Sequence, residues 1–208
     1  MALSMHPIMQ QSFAVIDREI GDHSFSPREY AIVRRVIHST ADFEFKNLLH
    51  FSPGAIDRAI AALRQKIPIV TDVSMVKQGI TSMVAQTFGN PVISAVEQAE
   101  QADPGKTRTE TGMLRCFDQF PTAIFAIGNA PTALLALCER LPAAQRPTLI
   151  IGAPVGFISV VESKLALAQT PVPQIRVDGR KGGSPATAAI VNALLVLAWE
   201  EQEALSKI

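Results

Sequence analysis

Cysteine is scarce, and the two present stand far apart: Cys116 and Cys138 are the whole supply in 208 residues. Neither belongs to a C-x-x-C spacing, which removes a thiolate metal site and a disulfide-stapled scaffold, so packing is the role expected of both. An excess of charge is lacking too. Lys+Arg and Asp+Glu stand equal at 19 each, so overall charge favours neither nucleic acid nor an acidic membrane surface as a partner. The N-terminus lacks a basic segment followed by an apolar one. The longest apolar stretch, 186–199, is interrupted by Thr187 and Asn192 and falls short of a bilayer span.

Several catalytic signatures are missing as well. No stretch reads G-x-G-x-x-G or G-x-x-x-x-G-K-[ST], and the turn Gly179-Arg180-Lys181-Gly182-Gly183-Ser184 has glycine, lysine and serine in the wrong order for a P-loop. His6, His23, His38 and His50 show no H-x-x-x-H pair and no pairing with the cysteines, which argues against a structural metal. There is no G-x-S-x-G elbow, and Cys116 has no histidine or helix N-terminus in view to activate it. Neither a repeat of 20 to 50 residues nor a low-complexity segment occurs.

What the chain does contain is a strand–turn–helix sentence written three times. The apolar runs 123–127, 149–151 and 175–177 lead into Gly128-Asn129-Ala130-Pro131, Gly152-Ala153-Pro154-Val155-Gly156 and Gly179-Arg180-Lys181-Gly182-Gly183-Ser184, each followed by a helical pattern. Such turns bring backbone N–H groups to the carboxyl edge of a parallel sheet, where anionic ligands are bound. Earlier, Ser26-Pro27-Arg28-Glu29 spells a capping box that opens a helix ending near His38. A second helix is expected from Ser52-Pro53 until Pro68 stops it, then a buried strand Ile69-Val70-Thr71 ending at Asp72. A short helix over 73–78, a strand over 92–95, a polar loop over 98–106 and a helix over 107–117 complete the pattern. Five strands alternating with helices predict a three-layer α/β/α sandwich around a mainly parallel five-stranded sheet. With 48% apolar and 18% charged residues, a single domain over 1–208 and a cytoplasmic protein are expected.

Few side chains stand out chemically. His38 ends a capped helix and is followed by Ser39, Thr40 and Asp42. It can bond the last helical carbonyls, where the dipole favours a cation, or act as a general acid or hydrogen-bond donor. Asp42 can orient that ring or serve its own turn. Arg108, after Lys106 and Thr107, sits at a helix start, and Arg180 and Lys181 occupy the last glycine turn. Cations there oppose a helix dipole, so they make sense if an anion completes the site; otherwise they form a solvated basic loop. Asn129 can donate or accept beside a helix N-terminus, or simply suit the turn.

Six strings in order resemble the precorrin-8X methylmutases, also called precorrin isomerases, of corrin biosynthesis. They are residues 26–42 ending Ile37-His38-Ser39-Thr40-Ala41-Asp42, then 70–76 with Gly79-Ile80-Thr81, Lys106-Thr107-Arg108, 128–134, 154–157 with Glu162-Ser163-Lys164, and 179–184. The resemblance implies a flavodoxin-like fold, a homodimer with active sites at or near the subunit interface, and no dissociable organic cofactor. It implies that a methyl group moves from C11 to C12 of precorrin-8X to give hydrogenobyrinic acid, or of cobalt-precorrin-8 to give cobyrinic acid. By the same match His38 takes the catalytic position, protonating or hydrogen-bonding a ring nitrogen of the tetrapyrrole. Ser12 and Thr81 match hydroxyl positions of the pocket and Arg108 its arginine, with Asn129, Arg180 and Lys181 as further substrate-binding residues. Glu110 departs from the small residues usual there, and is expected to face solvent or a basic neighbour rather than a substrate carboxylate. A tetrapyrrole carrier without turnover, and a nucleotide- or flavin-binding protein on the same scaffold, are the competing readings.

Overall fold

In a computed structural model, residues 6–141 and 146–206 are described. Among them the strands, in chain order, are β1 (Leu49–Phe51), β2 (Ile69–Thr71), β3 (Val92–Ser94), β4 (Ile124–Ile127), β5 (Leu149–Gly152) and β6 (Gln174–Val177). Their order across one sheet is β1-β6-β5-β4-β2-β3. All neighbours pair in parallel except β1, which runs antiparallel to β6 with Leu49 opposite Val177 and Phe51 opposite Ile175. Numbered by themselves, the five parallel strands follow the order 2-1-3-4-5 of flavodoxin-like sheets.

The sheet therefore has six strands, not five. The edge strand β1 is three residues long and only Leu49 in it is buried, so no alternation announces it. Its ladder continues into Ser52, whose N–H donates to Gln174 O (2.9 Å) and whose hydroxyl accepts from Gln174 N (2.8 Å). Ser52 thus belongs to the sheet edge rather than to a helix N-cap, and the following helix starts three residues later.

Strand residues alternate between two cores. Ile124 and Ala126 face one layer, Phe125 and Ile127 the other. The first layer holds α1 (Pro7–Glu19), α2 (Pro27–Thr40), α4 (Ala55–Arg64), α5 (Ser74–Gln86) and α9 (Ser184–Leu205); α6 (Arg108–Gln119), α7 (Pro131–Arg140) and α8 (Val160–Ala168) cover the other. A four-residue helix, α3 (Phe45–Leu48), leads into β1. Helix α9 is the hub of its layer, packing on α2, α4 and α5. Half of its 22 residues are buried, Ile190, Leu194 and Leu195 among them, which is why the apolar run 186–199 stays inside the protein. Each such side chain contributes about 1.5–3 kcal/mol on burial.

Helix α2 begins as its sequence demands. Ser26 Oγ accepts from Glu29 N (3.3 Å) and Glu29 Oε2 accepts from Ser26 N (2.8 Å), closing the capping box. The helix continues past His38 to Thr40, and Ala41, at φ 53°, ends it by donating to Ile37 O at 2.7 Å. Helix α5 is longer than the pattern suggested, running on to Gln86.

Candidate functional site

His38 is placed by α2 where two clefts of about 360 Å³ each meet its ring. One lies toward α5 and α9 and is walled by Arg35, Gly79, Pro185, Ala188 and Asn192. The other lies toward α1 and is walled by Ser12, Val15, Glu19 and Phe43. The edge of Phe13 meets the imidazole at 85° with ring centroids 5.3 Å apart, which steers the ring without consuming either nitrogen. Neither nitrogen has a hydrogen-bond partner among the described residues. The helix terminus is instead completed by Thr40 Oγ1, donating to Val36 O, and by Ala41, so His38 is not a capping histidine. Burial, and after it the charge of Arg35, lowers the pKa of His38 below the ordinary imidazole value. The ring is therefore neutral near pH 7, with one donor and one acceptor.

Asp42 does not touch that ring. It accepts from Glu44 N (2.9 Å) and from Lys181 Nζ (2.5 Å), and the lysine beside it draws its carboxyl pKa down. Lys181 also reaches Glu44 at 2.6 Å, so it joins the β6–α9 loop to the turn after α2 and its charge is shared between two carboxylates.

The remaining predicted residues distribute around the carboxyl edge of the sheet. Ser12 lines the α1 cleft with His38, its hydroxyl donating to Ile8 O at 2.9 Å. Thr81 lies on α5 two residues beyond Gly79, its hydroxyl donating to Lys77 O at 2.8 Å. Arg108 is exposed at the first position of α6, and Asn129 is exposed just before α7; the two helix starts are joined by the hydroxyls of Thr107 and Thr132, 3.1 Å apart. Arg180 is exposed with its guanidinium 5.7 Å from the ring centre of Phe157. The structure thus groups Ser12 with His38 at the α1 cleft, Arg108 with Asn129, and Arg180 with Lys181, while Thr81 lines neither cleft. Glu110 closes a second capping box with Thr107 and pairs with Lys106 at 3.2 Å, the basic neighbour expected of it.

The glycine turns do not offer their amides as expected. Between β2 and β4 the strand order reverses, the crevice where doubly wound sheets bind phosphates. Here the chain fills it with its own carboxylate. Asp72, fully buried at the end of β2, accepts from Gly128 N (3.1 Å), Asn129 N (2.6 Å), Ala130 N (2.8 Å) and its neighbour Val73 N (3.0 Å). Burial raises its pKa while these four N–H groups pull it down, and burial prevails. The carboxyl group of Asp72 therefore already occupies the amides of the turn that leads into α7.

The third turn is held by the opposite charge. Lys164, 2% exposed, donates to Gly179 O (2.8 Å) and Lys181 O (2.7 Å), the carbonyls that flank Arg180. Desolvation lowers its pKa to about 8, against a smaller upward pull from Asp178. Gly183 N donates to Ala153 O at 2.8 Å, and at Gly182 (φ +151°) a Cβ would fall 2.2 Å from that same oxygen. Only glycine lets the loop lie so close to the β5 turn.

The sequence reading missed Asp72, Lys164 and Arg35. The signals were there: a lone carboxylate closing an apolar strand, a lone lysine inside Val160-Val161-Glu162-Ser163-Lys164-Leu165, and an arginine one helical turn before His38. A larger groove, about 820 Å³, lies at the opposite edge of the sheet near Thr148, Thr170 and Arg176. It contains no histidine, and Arg176 there is taken by Asp178 at 2.8 Å. Cys116 and Cys138 are free thiols, raised to about 11 and about 12 by burial.

Comparison with known proteins agrees with this geometry. The family model described as CbiC, precorrin-8X methylmutase, matches residues 7–197. A cobalt-precorrin-8 methylmutase of Synechocystis sp. is 58% identical, with 94% of this chain and 97% of that protein covered. A precorrin-8X methylmutase of a Sinorhizobium species is 38% identical over 90% of this chain and 92% of its own. The crystal structure of a precorrin-8X methylmutase from Thermus thermophilus superposes with a TM-score of 0.86 at 40% identity, covering 94% of this chain and 99% of that one. The flavodoxin-like strand order and these relatives agree: the chain belongs to the precorrin-8X methylmutase family.

Proposed function

We propose that this isomerase of cobalamin biosynthesis binds precorrin-8X, or its cobalt-containing counterpart cobalt-precorrin-8, against the His38 clefts and moves one methyl group from C11 to C12, giving hydrogenobyrinic acid or cobyrinic acid. The observation that carries the reading is the His38 imidazole: oriented by Phe13, bordered by two clefts, with both nitrogens free of partners among the described residues. The 58% identical relative is named for the cobalt-containing substrate and the 38% identical one for precorrin-8X, and the two forms carry the same peripheral arms.

The C11–CH3 bond breaks and the C12–CH3 bond forms within one molecule, so composition is unchanged and no dissociable organic cofactor is called for. The chain's task is to hold the macrocycle and bias its electrons. In precorrin-8X, whose ring nitrogens carry no metal, a hydrogen bond from His38 to one of them draws density from the conjugated system and weakens the bond to the migrating methyl; in cobalt-precorrin-8 the metal bound to those nitrogens would supply that withdrawal. Ser12, Thr81, Arg108, Asn129, Arg180 and Lys181 would meet the acetate and propionate arms, with Arg108 and Arg180 as the exposed guanidinium partners. Lys181, held by Asp42 and Glu44, contributes mainly by placing the loop.

Two clefts of about 360 Å³ are small against a tetrapyrrole with its arms. This supports a homodimer in which a second copy completes the site. Val155, Phe157, Ile158 and Leu165 leave an exposed apolar surface beside the Arg180 loop, with Phe157 at 81% and Ile158 at 83%, suited to such a contact. The reading further takes residues 1–208 as one domain acting in the cytoplasm, where two free, packed thiols are at home.

The test is conversion. Purified protein incubated with precorrin-8X is expected to yield an isomer of identical mass and changed spectrum, and His38→Ala to abolish conversion while product still binds. A spectral complex without isomer would identify a carrier, and unchanged turnover in His38→Ala would remove the histidine from the chemistry.

A further inference from the structure

We propose that Lys164 is a positioning residue for substrate binding: from beneath the β6–α9 loop it fixes the backbone on both sides of Arg180, so that this guanidinium stands ready for a carboxylate arm of the tetrapyrrole. The inference rests on the reading that Arg180 meets such an arm. Its ground is a buried charge with no ionic partner. Among the described residues Lys164 is the one lysine or arginine that is buried. Its hydrogen-bond partners there are two neutral carbonyls, Gly179 O at 2.8 Å and Lys181 O at 2.7 Å, and not a carboxylate. Burying an ammonium in this way is unfavourable, and methionine would fill similar space without that cost. What methionine lacks is the pair of donors.

The loop needs them. Gly179, Gly182 and Gly183 have φ of 70°, 151° and 108°, and glycine loses more conformational freedom on ordering than any other residue. Three consecutive carbonyls are nevertheless tied: those of Gly179 and Lys181 by Lys164, and that of Arg180 between them by Gly156 N at 3.3 Å. On the outer side the Lys181 ammonium is anchored on Asp42 and Glu44. Of the two cations in the loop, Arg180 is therefore the one left open. It is exposed, reaches no carboxylate among the described residues, and rests 5.7 Å from the ring centre of Phe157. A planar fork of donors suits a carboxylate through two parallel bonds. Carried on a fixed backbone, that fork gives up less freedom when it closes on the arm, and the difference appears as affinity.

A double-mutant cycle tests this, with hydrogenobyrinic acid, the metal-free product, titrated by absorbance into wild type, Lys164→Met, Arg180→Gln and the double variant. Arg180→Gln removes a charge-assisted hydrogen bond and is expected to lose roughly 10- to 100-fold in affinity. Lys164→Met is expected to lose about 2- to 10-fold, the effect of having to order one freed side chain on binding. Added to Arg180→Gln, it is expected to cost less than about a further twofold, because the group it positions is gone. With precorrin-8X as substrate, the Lys164→Met loss is expected in KM, with kcat within about twofold of wild type. Wild-type affinity in Lys164→Met would overturn the assignment. So would the same factor lost with and without Arg180, since a general loosening of the fold does not depend on that side chain. Lys164→Gln, which keeps one amide donor, is expected to fall between, and it carries the same cycle if the methionine variant does not fold. If wild type binds no corrinoid, the proposed function falls and this inference with it. If wild type binds and converts while Arg180→Gln matches it, only the role of the Arg180 loop is lost.

Discussion

Replacing Lys164 by methionine should change the pH dependence of stability more than stability itself. In the folded chain the ammonium has a pKa of about 8, against an ordinary value of 10.5. Between those values the unfolded chain carries a proton that the native protein has released. The unfolded state thus binds more protons, and stability rises with pH through this window. At about 1.36 kcal/mol per pH unit, the whole interval amounts to about 3 kcal/mol. Below pH 8 both states are protonated and the cost of the buried charge is present in full. At pH 7 Lys164→Met removes that cost, yet leaves Gly179 O and Lys181 O without their donor. Losing the donor of these part-buried carbonyls costs about 1–3 kcal/mol each at most, so the two effects oppose and the net change at neutrality is small. The slope is the discriminating quantity. Urea unfolding of both proteins from pH 7 to 10.5 gives a difference curve in which the groups common to both, Tyr30, Cys116 and Cys138 among them, cancel. Wild type should gain about 3 kcal/mol on the variant across that range. A difference flat to within about 0.5 kcal/mol would show that the ammonium is not desolvated and that the account of the β6–α9 loop is wrong.

Two other substitutions probe the same edge of the sheet. Asp72→Asn keeps one acceptor oxygen and turns an NH2 toward the remaining amides of Val73, Gly128, Asn129 and Ala130, at an expected loss of about 2–4 kcal/mol in urea unfolding at pH 7. Because burial raises the pKa of Asp72, its contribution is largest below the ordinary carboxylate value and declines as pH rises through the raised one. The advantage of wild type over Asp72→Asn should therefore grow as pH is lowered from 7 toward 4, and a shrinking advantage would contradict the burial argument. Phe157→Ser combined with Ile158→Ser should shift a dimer to monomer in sedimentation at micromolar protein, since the pair supplies the most exposed apolar side chains of the patch; an unmoved dimer would place the interface elsewhere.

Where the sequence was legible, local chemistry and tertiary structure demanded the same residues. Ser26-Pro27-Arg28-Glu29 forms its capping box because nothing competes for those groups, and the apolar runs of β4 and β5 are buried on both faces. Strand β1 left no trace, since an edge strand with one buried residue draws its order from the β6 ladder rather than from its own pattern. Helix α1 buries only Phe13 and Ile16, too few to mark a face. At the site, His38 stood out through its cap and its neighbours. What the sequence could not reveal is which groups cancel. Asp72 answers the amides of the first glycine turn, and Lys164 the carbonyls of the third, across 56 and 15 residues of chain.

The central claim is that the His38 imidazole works on the macrocycle itself, and a crystal structure with the metal-free product, hydrogenobyrinic acid, bound tests it most directly. The account predicts an imidazole nitrogen within about 3.2 Å of a macrocycle nitrogen, with the ring still held by Phe13. A corrinoid seated in the groove at the opposite edge, against Arg58, Arg146 and Arg176, would contradict it.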